Sequence, residues 1–343
     1  MTRTAPQPRS LVAVTFLVIA LLLSACSTSG TASSPETTPG DAGWSSVTTT
    51  GAFGDATIES RPERVFALST TDADMLLAVG IVPIAVPSMP QTDAATGGTS
   101  IYPWQVGLYP EGTPKVEAST TELNIEAIAA TDPDLIVGTA FFGLTKPIYG
   151  KLAEIAPVVH YDTVANSDDW RDSTRKIARA VGRVDAGDAA VATAEATLAK
   201  TRSNNPIFEG KTFNAVISPS ADGVWILCSE QDNLGRVMTG FGMKLSEYAQ
   251  SVECDGGKAE LSWENMSDLD ADVLWAIPDT ADQMPELTKR KLWTSLPAVQ
   301  RGAVVIVTKP EGVPFALAFP SPLSLVWAAD RLAPKMSEAA ARS

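Results

Sequence analysis

The chain offers few side chains that could act as nucleophiles, general bases or metal ligands. Its 343 residues include three cysteines and one histidine, His160, in an apolar stretch that is typical of a strand end. Metal sites built on several histidines, and Ser/His/Asp triads, therefore have few ways to form. Acidic pairs such as Asp72 and Asp74 fall at turns and helix starts, and the sequence has no Gly-x-Ser-x-Gly elbow and no P-loop. We predict that the protein is not an enzyme and that its own side chains hold no metal ion.

One cysteine, Cys26, follows an apolar run near the start of the chain. Two arginines precede the run, which spans residues 11–23 and continues as Ser-Ala-Cys. The run is short for a bilayer span and is typical of a secretory signal. The Leu-Ser-Ala-Cys sequence resembles the lipobox of bacterial lipoproteins, in which the cysteine is acylated and becomes the new N-terminus. We therefore expect a signal peptide at 1–25, a lipid such as palmitate on Cys26, and a flexible polar tether at 26–50.

The charge of the chain excludes nucleic acid as a partner. The formal net charge is −14, and no basic stripe with interleaved aromatic residues offsets it. A second apolar run long enough to span a membrane is absent from the sequence. We expect contact with the membrane through the N-terminal lipid only.

The other two cysteines, Cys228 and Cys254, would face an oxidising compartment after export. Cysteine pairs in such compartments tend to form disulfides. We predict a Cys228–Cys254 disulfide; the alternative is two buried thiols that are too far apart to join.

Short β-branched runs alternate with helical stretches along the chain, and this alternation indicates parallel sheets with helices on both faces. The strands are predicted near 64–68, 82–86, 132–138 and 158–161, and then near 213–217, 224–227, 272–277 and 303–308. We predict an α/β fold of two Rossmann-like lobes with parallel central sheets, joined by a long rigid helix. The expected parts are an N-terminal lobe at 51–167, an interlobe helical segment at 168–204 and a C-terminal lobe at 205–336.

One sequence pattern occurs in both halves, at 123–136 and at 261–274. Each copy has a capping residue, a glutamate two positions later, an acidic turn and an apolar run. The glutamates, Glu126 and Glu264, fall in a first helical turn, where the helix dipole favours a carboxylate. Capping alone would explain either glutamate, but the matching positions indicate a shared role.

The chain resembles the helical-backbone class of substrate-binding proteins of bacterial ABC transporters, which carry ferric siderophores, haem or cobalamin. The resemblance covers about residues 52–335 and depends on the order of several phrases. These are RPERVFAL at 61–68, DADMLLAVGIVP at 72–83, NIEAIA at 124–129 with DPDLI at 132–136, and GLTKPIYGKLAEIAP at 143–157. The last phrase is similar to iron–siderophore binders of high-GC Gram-positive bacteria, so we expect a Gram-positive protein on the extracytoplasmic face of the cell membrane.

The resemblance implies a monomeric carrier that delivers a small iron chelate to an ABC permease dimer with its ATPase. In this family a glutamate on each lobe docks onto arginines of the two permease subunits, and the matching positions are Glu126 and Glu264. The expected ligand is a ferric siderophore of hydroxamate or mixed type, with haem, cobalamin or another chelate as alternatives and no resident cofactor. A tethered chelate sensor that does not transport is the competing class.

Ligands of two-lobed α/β proteins bind on loops at the carboxyl ends of strands. By this rule the candidate cleft residues are hydroxyl-bearing or aromatic. They are Ser69, Thr70, Tyr102, Trp104, Phe141 and Phe142 from the first lobe, and Ser218, Trp225, Thr280, Phe315 and Phe319 from the second. The aromatic members would suit a large, partly apolar ligand. We expect modest closure of the lobes, because a helical hinge is stiffer than crossing strands.

Overall fold

A computed structural model describes residues 43–88, 93–117 and 123–343. The expected signal peptide, the lipidated Cys26 and the first part of the expected tether lie outside the described residues. Residues 43–343 belong to one compact unit.

The N-terminal lobe is built on short parallel strands. A hairpin of β1 (Val47–Gly51) and β2 (Gly54–Ile58) precedes them, so a strand begins inside the segment expected as tether. Three consecutive threonines in β1 favour an extended backbone. The strands that follow are β3 (Val65–Ala67), β4 (Val86–Ser88), β5 (Lys115–Glu117), β6 (Leu135–Gly138) and β7 (Val158–His160). Strands β3, β6 and β7 pair in parallel in that order, and β4 pairs in parallel with β5.

The helices of this lobe are α1 (Thr70–Ala78), α2 (Asp93–Thr96), α3 (Ile125–Ala129) and α4 (Lys146–Ala153). The strand predicted at 82–86 differs from the structure, since β4 begins only at Val86. Pro83 lacks the N–H that a ladder needs, and the Ile84 N–H makes an isolated bond to the Val65 carbonyl (2.9 Å).

The segment between the lobes consists of two helices. They are α5 (Trp170–Ala180) and α6 (Val184–Asn204). The chain turns between them at Gly182, whose φ of +64° favours glycine.

The C-terminal lobe has a mixed sheet with a parallel centre. Its strands are β8 (Thr212–Ile217), β9 (Gly223–Leu227), β10 (Lys244–Leu245), β11 (Lys258–Ser262), β12 (Val273–Ile277) and β13 (Val304–Ile306). Strand β8 pairs in parallel with β10 and β12, and β12 with β13. Strands β9 and β11 are antiparallel and extend one side of the sheet. The predicted parallel centre is confirmed, and the antiparallel edge was not predicted.

The helices of the C-terminal lobe are α7 (Asn233–Gly240), α8 (Glu247–Ser251), α9 (Met284–Thr288), α10 (Lys291–Thr294), α11 (Pro297–Arg301), α12 (Val313–Ala318) and α13 (Pro322–Ala340). The segment Trp263–Leu269, where Glu264 was expected in a first helical turn, forms a 3₁₀ helix.

The two lobes share part of their core. One cluster of buried side chains joins Val65 and Leu135 of the first lobe to Phe213 and Trp275 of the second. Helix α13 packs against both α6 and α1, so the last helix of the described chain contacts the first. In the described part of the chain, no helix is both long and apolar enough to cross a membrane.

Candidate functional site

A cavity of about 580 Å³ lies between the lobes. Its lining from the first lobe consists of Phe142 and residues 164–167. Its lining from the second lobe consists of Ile217, Ser229, residues 231–234, residues 256–258, Ile277, Lys309, Pro314, Phe315 and residues 317–319. Ile217 and Ile277 are the last residues of β8 and β12, and Phe142 follows β6. The cavity therefore lies at the carboxyl ends of the parallel strands, where folds of this kind bind ligands.

Three phenylalanines form an aromatic wall of the cavity, and all three were predicted cleft residues. The ring centroids of Phe142 and Phe319 are 6.0 Å apart in an edge-to-face arrangement. Those of Phe315 and Phe319 are 6.4 Å apart and nearly parallel. Phe142 is 55% exposed, so a large apolar surface is open to a ligand at this point.

Two predicted aromatic residues, Tyr102 and Trp104, lie behind this wall and do not line the cavity. Their rings stack with centroids 4.4 Å apart, and the Tyr102 ring lies 5.6 Å from the Phe315 ring. The Trp104 ring also packs against Trp327 of α13 at 5.0 Å. Through Phe315, which belongs to α12, these rings contact that helix.

Other predicted residues of the first lobe are buried. Ser69 caps α1 and donates a hydrogen bond to the Asp72 carboxylate (2.5 Å), and Thr70 is the buried first residue of that helix. Phe141 is 1% exposed and belongs to the core cluster that contains Phe66 and Ile136. The turn after β6 thus sends Phe141 inward and Phe142 into the cavity.

The other predicted residues of the second lobe, Ser218, Trp225 and Thr280, do not line the cavity. The Ser218 hydroxyl donates to Asp279 (2.7 Å), and Asp279 forms an ion pair with Lys309, which does line the cavity. Burial alone would raise the pKa of Asp279, but hydrogen bonds from Lys309 and Ser218 outweigh it and lower that pKa. Thr280 is exposed beside this pair, and Trp225 is 42% exposed on β9.

The second lysine of the cavity, Lys258, is also paired with an acid. Its Nζ lies 2.7 Å from Asp232 Oδ2, while Asp232 Oδ1 accepts from the Leu234 N–H and caps α7. Both lysines among the described lining residues therefore have a carboxylate partner, and the charge of that lining and its partners is close to balanced.

A polar bridge joins the lobes at the cavity. The Asn166 side chain donates from Nδ2 to the Ala318 carbonyl (2.9 Å), and the Asn233 Nδ2 donates to the same carbonyl and to the Asn166 carbonyl (both 3.0 Å). Asn166 has a φ of +59°, a conformation that asparagine tolerates better than most residues. Neither asparagine was predicted as a site residue, and the Asn-Ser turn before α5 was the only local signal in the sequence.

Two buried carboxylates of α1, those of Asp72 and Asp74, accept hydrogen bonds from residues near the site. Asp72 accepts from the N–H and hydroxyl of Thr139 (both 2.7 Å) within the first lobe. Asp74 accepts from Trp104 Nε1 (2.7 Å), Gln105 Nε2 (2.6 Å) and the Ser321 hydroxyl at the start of α13 (3.0 Å). Burial raises the pKa of both groups, that of Asp74 to about 7.

The structure has a disulfide between Cys228 and Cys254, with Cα atoms 5.8 Å apart. Cys228 is the residue after β9 and is 5% exposed, whereas Cys254 is exposed. Lining residues follow both cysteines closely in sequence, so the bridge lies beside the cavity wall.

The duplicated glutamates occupy corresponding places in the two lobes. Glu126 is exposed in the first turn of α3, before β6, and Glu264 is exposed in the 3₁₀ helix before β12. Asn124 caps α3 by accepting from the Ala127 N–H (2.8 Å). Neither glutamate forms a salt bridge with another residue that the structure describes. Over residues 43–88, 93–117 and 123–343, no group of three or more His, Cys, Asp and Glu side chains could hold a metal ion.

Comparison with known proteins supports this picture. The chain is 28% identical over 305 residues to a probable siderophore-binding lipoprotein, YfiY, of Bacillus subtilis, covering 84% of this chain and 86% of the relative. It is 26% identical over 255 residues to the Fe(3+)-citrate-binding protein YfmC of the same organism, covering 73% and 75%. The crystal structure of PiaA from Streptococcus pneumoniae in complex with ferrichrome is similar in fold, with a TM-score of 0.73, 25% identity, and coverage of 86% of this chain and 99% of PiaA.

The family model for periplasmic binding proteins matches residues 65–311. This span includes both lobes, the helices between them and most of the cavity wall. The chain therefore belongs to the periplasmic binding protein family.

Proposed function

We propose that this protein is the substrate-binding component of an ABC importer and that it captures a ferric siderophore in the cavity between its lobes. The observation that supports this proposal most strongly is the open aromatic wall of Phe142, Phe315 and Phe319 at the carboxyl ends of the parallel strands. Its family consists of substrate-binding proteins, which are not enzymes, and relatives of the chain are named for siderophore or ferric citrate binding. No chemical step is proposed in the cavity.

The balanced charge of the cavity supports a complex of low net charge, such as a hydroxamate or mixed-type siderophore. A highly anionic chelate binds best where arginine or lysine side chains are free to pair with it. Here Lys258 and Lys309 each already have an aspartate partner. An anionic ligand would have to displace those aspartates or leave part of its charge unpaired in an enclosed site, and both are costly.

The lining residues disfavour haem as the ligand. Haem iron is commonly held by an axial His, Tyr, Met or Cys side chain. None of these four residue types is among the described residues that line the cavity. A siderophore, by contrast, brings a complete set of ligands to its iron and needs only shape, apolar contact and hydrogen bonds from the protein.

The test is a fluorescence titration of the purified protein with ferrichrome, ferrioxamine B, ferric citrate, haemin and cyanocobalamin. We expect saturable quenching with the tightest binding by a hydroxamate complex. Phe142→Ala should weaken that binding about fivefold, since loss of one aromatic contact costs on the order of 1 kcal/mol. Trp225→Ala is the matched control, because Trp225 is a similarly exposed aromatic residue outside the cavity. Failure of every ferric complex to bind, or equal effects of the two variants, would contradict the proposal.

We further propose that the protein is a monomer anchored by a lipid on Cys26 and that it docks on a permease dimer through Glu126 and Glu264. Both glutamates are exposed without a salt-bridge partner on the described chain, and they occupy matching positions in the two lobes. Paired charges of this kind set orientation and speed encounter more than they add affinity. The anchor would keep the carrier at a high effective concentration beside the membrane.

A further inference from the structure

One wall of the cavity is made of two segments of the C-terminal lobe that are distant in sequence. The first segment, residues 229–234, leaves the end of β9 and enters α7. The second, residues 256–258, leads into β11. Each contributes lining residues, including the Asp232–Lys258 pair that spans the gap between them.

Between the two segments the chain passes through the rest of α7, β10 and α8. The disulfide joins the two ends of this part of the chain, because Cys228 directly precedes the first segment and Cys254 lies two residues before the second. Beside it, the Cys228 N–H donates to the Gly257 carbonyl (3.0 Å), and the Asp232–Lys258 ion pair lies further along the wall. Covalent and ionic contacts thus join the same two segments.

We propose that the Cys228–Cys254 disulfide is a positioning element of the ligand cavity, which holds both wall segments in their binding arrangement before the ligand arrives. The inference rests on the proposed function. Loops that are ordered only on binding reduce affinity by the cost of ordering them, and a covalent bridge removes that cost in advance. Cys254 is exposed, whereas Cys228 belongs to a buried core cluster of the C-terminal lobe, so the bridge fixes the chain just before the second wall segment to the core.

The experiment compares the wild type with Cys228→Ala/Cys254→Ala, in which no hydroxyl is introduced at the buried Cys228. Leu287→Ala is the matched control: Leu287 is fully buried in the same core cluster as Cys228 but does not line the cavity. Both variants should melt at a lower temperature than the wild type. Affinity is measured well below both melting temperatures, with the ferric complex among ferrichrome, ferrioxamine B and ferric citrate that binds the wild type most tightly.

We expect the double cysteine variant to bind about tenfold more weakly, while Leu287→Ala binds like the wild type. In the ligand-free proteins, amide hydrogen exchange at 229–234 and 256–258 should accelerate only in the cysteine variant. Asp232→Asn keeps a cap for α7 but weakens the ion pair, so it should lower affinity more in the cysteine variant than in the wild type.

A cysteine variant with wild-type affinity and wild-type exchange in both segments, despite a lower melting temperature, would overturn the inference and leave the disulfide a general stabiliser. Failure of the oxidised wild type to bind any of the three complexes would overturn the proposed function instead. Because the exchange measurement needs no ligand, it tests in either case whether the disulfide restrains the two wall segments.

Discussion

At the scale of single residues, Asp74 has a fully buried carboxylate. It accepts hydrogen bonds from three neutral side chains, those of Trp104, Gln105 and Ser321. Burial is the largest influence and raises the pKa of Asp74 to about 7, although the three hydrogen bonds act in the opposite direction. Because Ser321 begins α13, this carboxylate links the first helix of the fold to its last.

The raised pKa of Asp74 predicts a particular pH dependence of stability. The unfolded chain loses this proton near the ordinary pKa of 3.8, whereas the folded protein keeps it until about pH 7. Between these values the folded state binds more protons, so the stabilising contribution of the group falls as pH rises and is lost above pH 7. The free energy of unfolding of the wild type, minus that of Asp74→Asn, should decline by up to about 1.4 kcal/mol per pH unit from pH 5 to 7.

Urea unfolding at several pH values measures this difference. Asp279→Asn is the control, because the pKa of Asp279 is lowered and its difference from the wild type should be constant above pH 5. A flat profile for Asp74→Asn would show that the buried carboxylate does not titrate in this range.

Only part of the site could be predicted from the sequence, and the predicted residues show why. Phe142, Phe315 and Phe319 are apolar residues at turns after strands or beside the lobe junction, where a large exposed ring is unusual. Tyr102 and Trp104 have the same local signature, yet they pack behind α12 because α13 supplies Trp327 as a partner from far along the chain. The local sequence around an aromatic residue does not show whether its ring faces the cavity or packs behind the cavity wall.

Asn166 and Asn233 illustrate the opposite failure. Each is a common turn or helix-start residue, so nothing in its neighbourhood marks it. Their importance comes from the Ala318 carbonyl, which lies 152 and 85 residues away in sequence. A bridge of this kind follows from how the lobes meet, and no sequence period encodes it.

At the scale of elements, the contact between α5 and α6 is unusually close. A Cβ atom added at Gly187 of α6 would lie 2.4 Å from the Ala178 Cβ of α5. Glycine is the residue that permits this approach, which fixes how the two interlobe helices cross.

This contact predicts opposite effects for two equivalent substitutions. Gly187→Ala should destabilise the protein by about 1–3 kcal/mol, because the clash exceeds the gain in helix propensity. Gly150→Ala in α4 should stabilise it by roughly 0.5–1 kcal/mol, since nothing lies within 4 Å of the added Cβ there. Denaturant unfolding of both variants is the measurement, and a stabilised Gly187→Ala would mean that the helices separate at little cost.

The elements were easier to predict than the site. The alternation of strands and helices along the chain predicted that the central strands of both lobes pair in parallel, because buried parallel strands are continuous apolar runs. The antiparallel β9–β11 edge escaped prediction, since pairing direction depends on where the chain returns. The strand expected at 82–86 was displaced because Pro83 breaks the hydrogen-bond ladder.

At the scale of the whole molecule, the shared core predicts limited motion on ligand binding. The cluster that joins Val65 and Leu135 to Phe213 and Trp275 would have to open for the lobes to rotate far. We expect the radius of gyration from small-angle scattering to change by less than about 1 Å when the ferric complex is added. A compaction of several ångströms would contradict a stiff connection.

The placement of Glu126 and Glu264 predicts a separation of transport from binding. Glu126→Lys/Glu264→Lys should abolish uptake of the ferric complex by cells, while the purified variant keeps its affinity for that complex. Glu154→Lys/Glu247→Lys changes the net charge equally at two other exposed positions and is the control. Normal uptake by the first variant, or equal loss in both, would remove the docking assignment.

The packing of α13 on α1 has a consequence for how the protein folds. Asp74 of α1 and Ser321, which caps α13, share a hydrogen bond although they are 247 residues apart in sequence. A fragment that ends before α13 would leave exposed the surface of α1 that this helix covers. Contacts between residues so distant in sequence form slowly, so we expect α13 to dock late in folding.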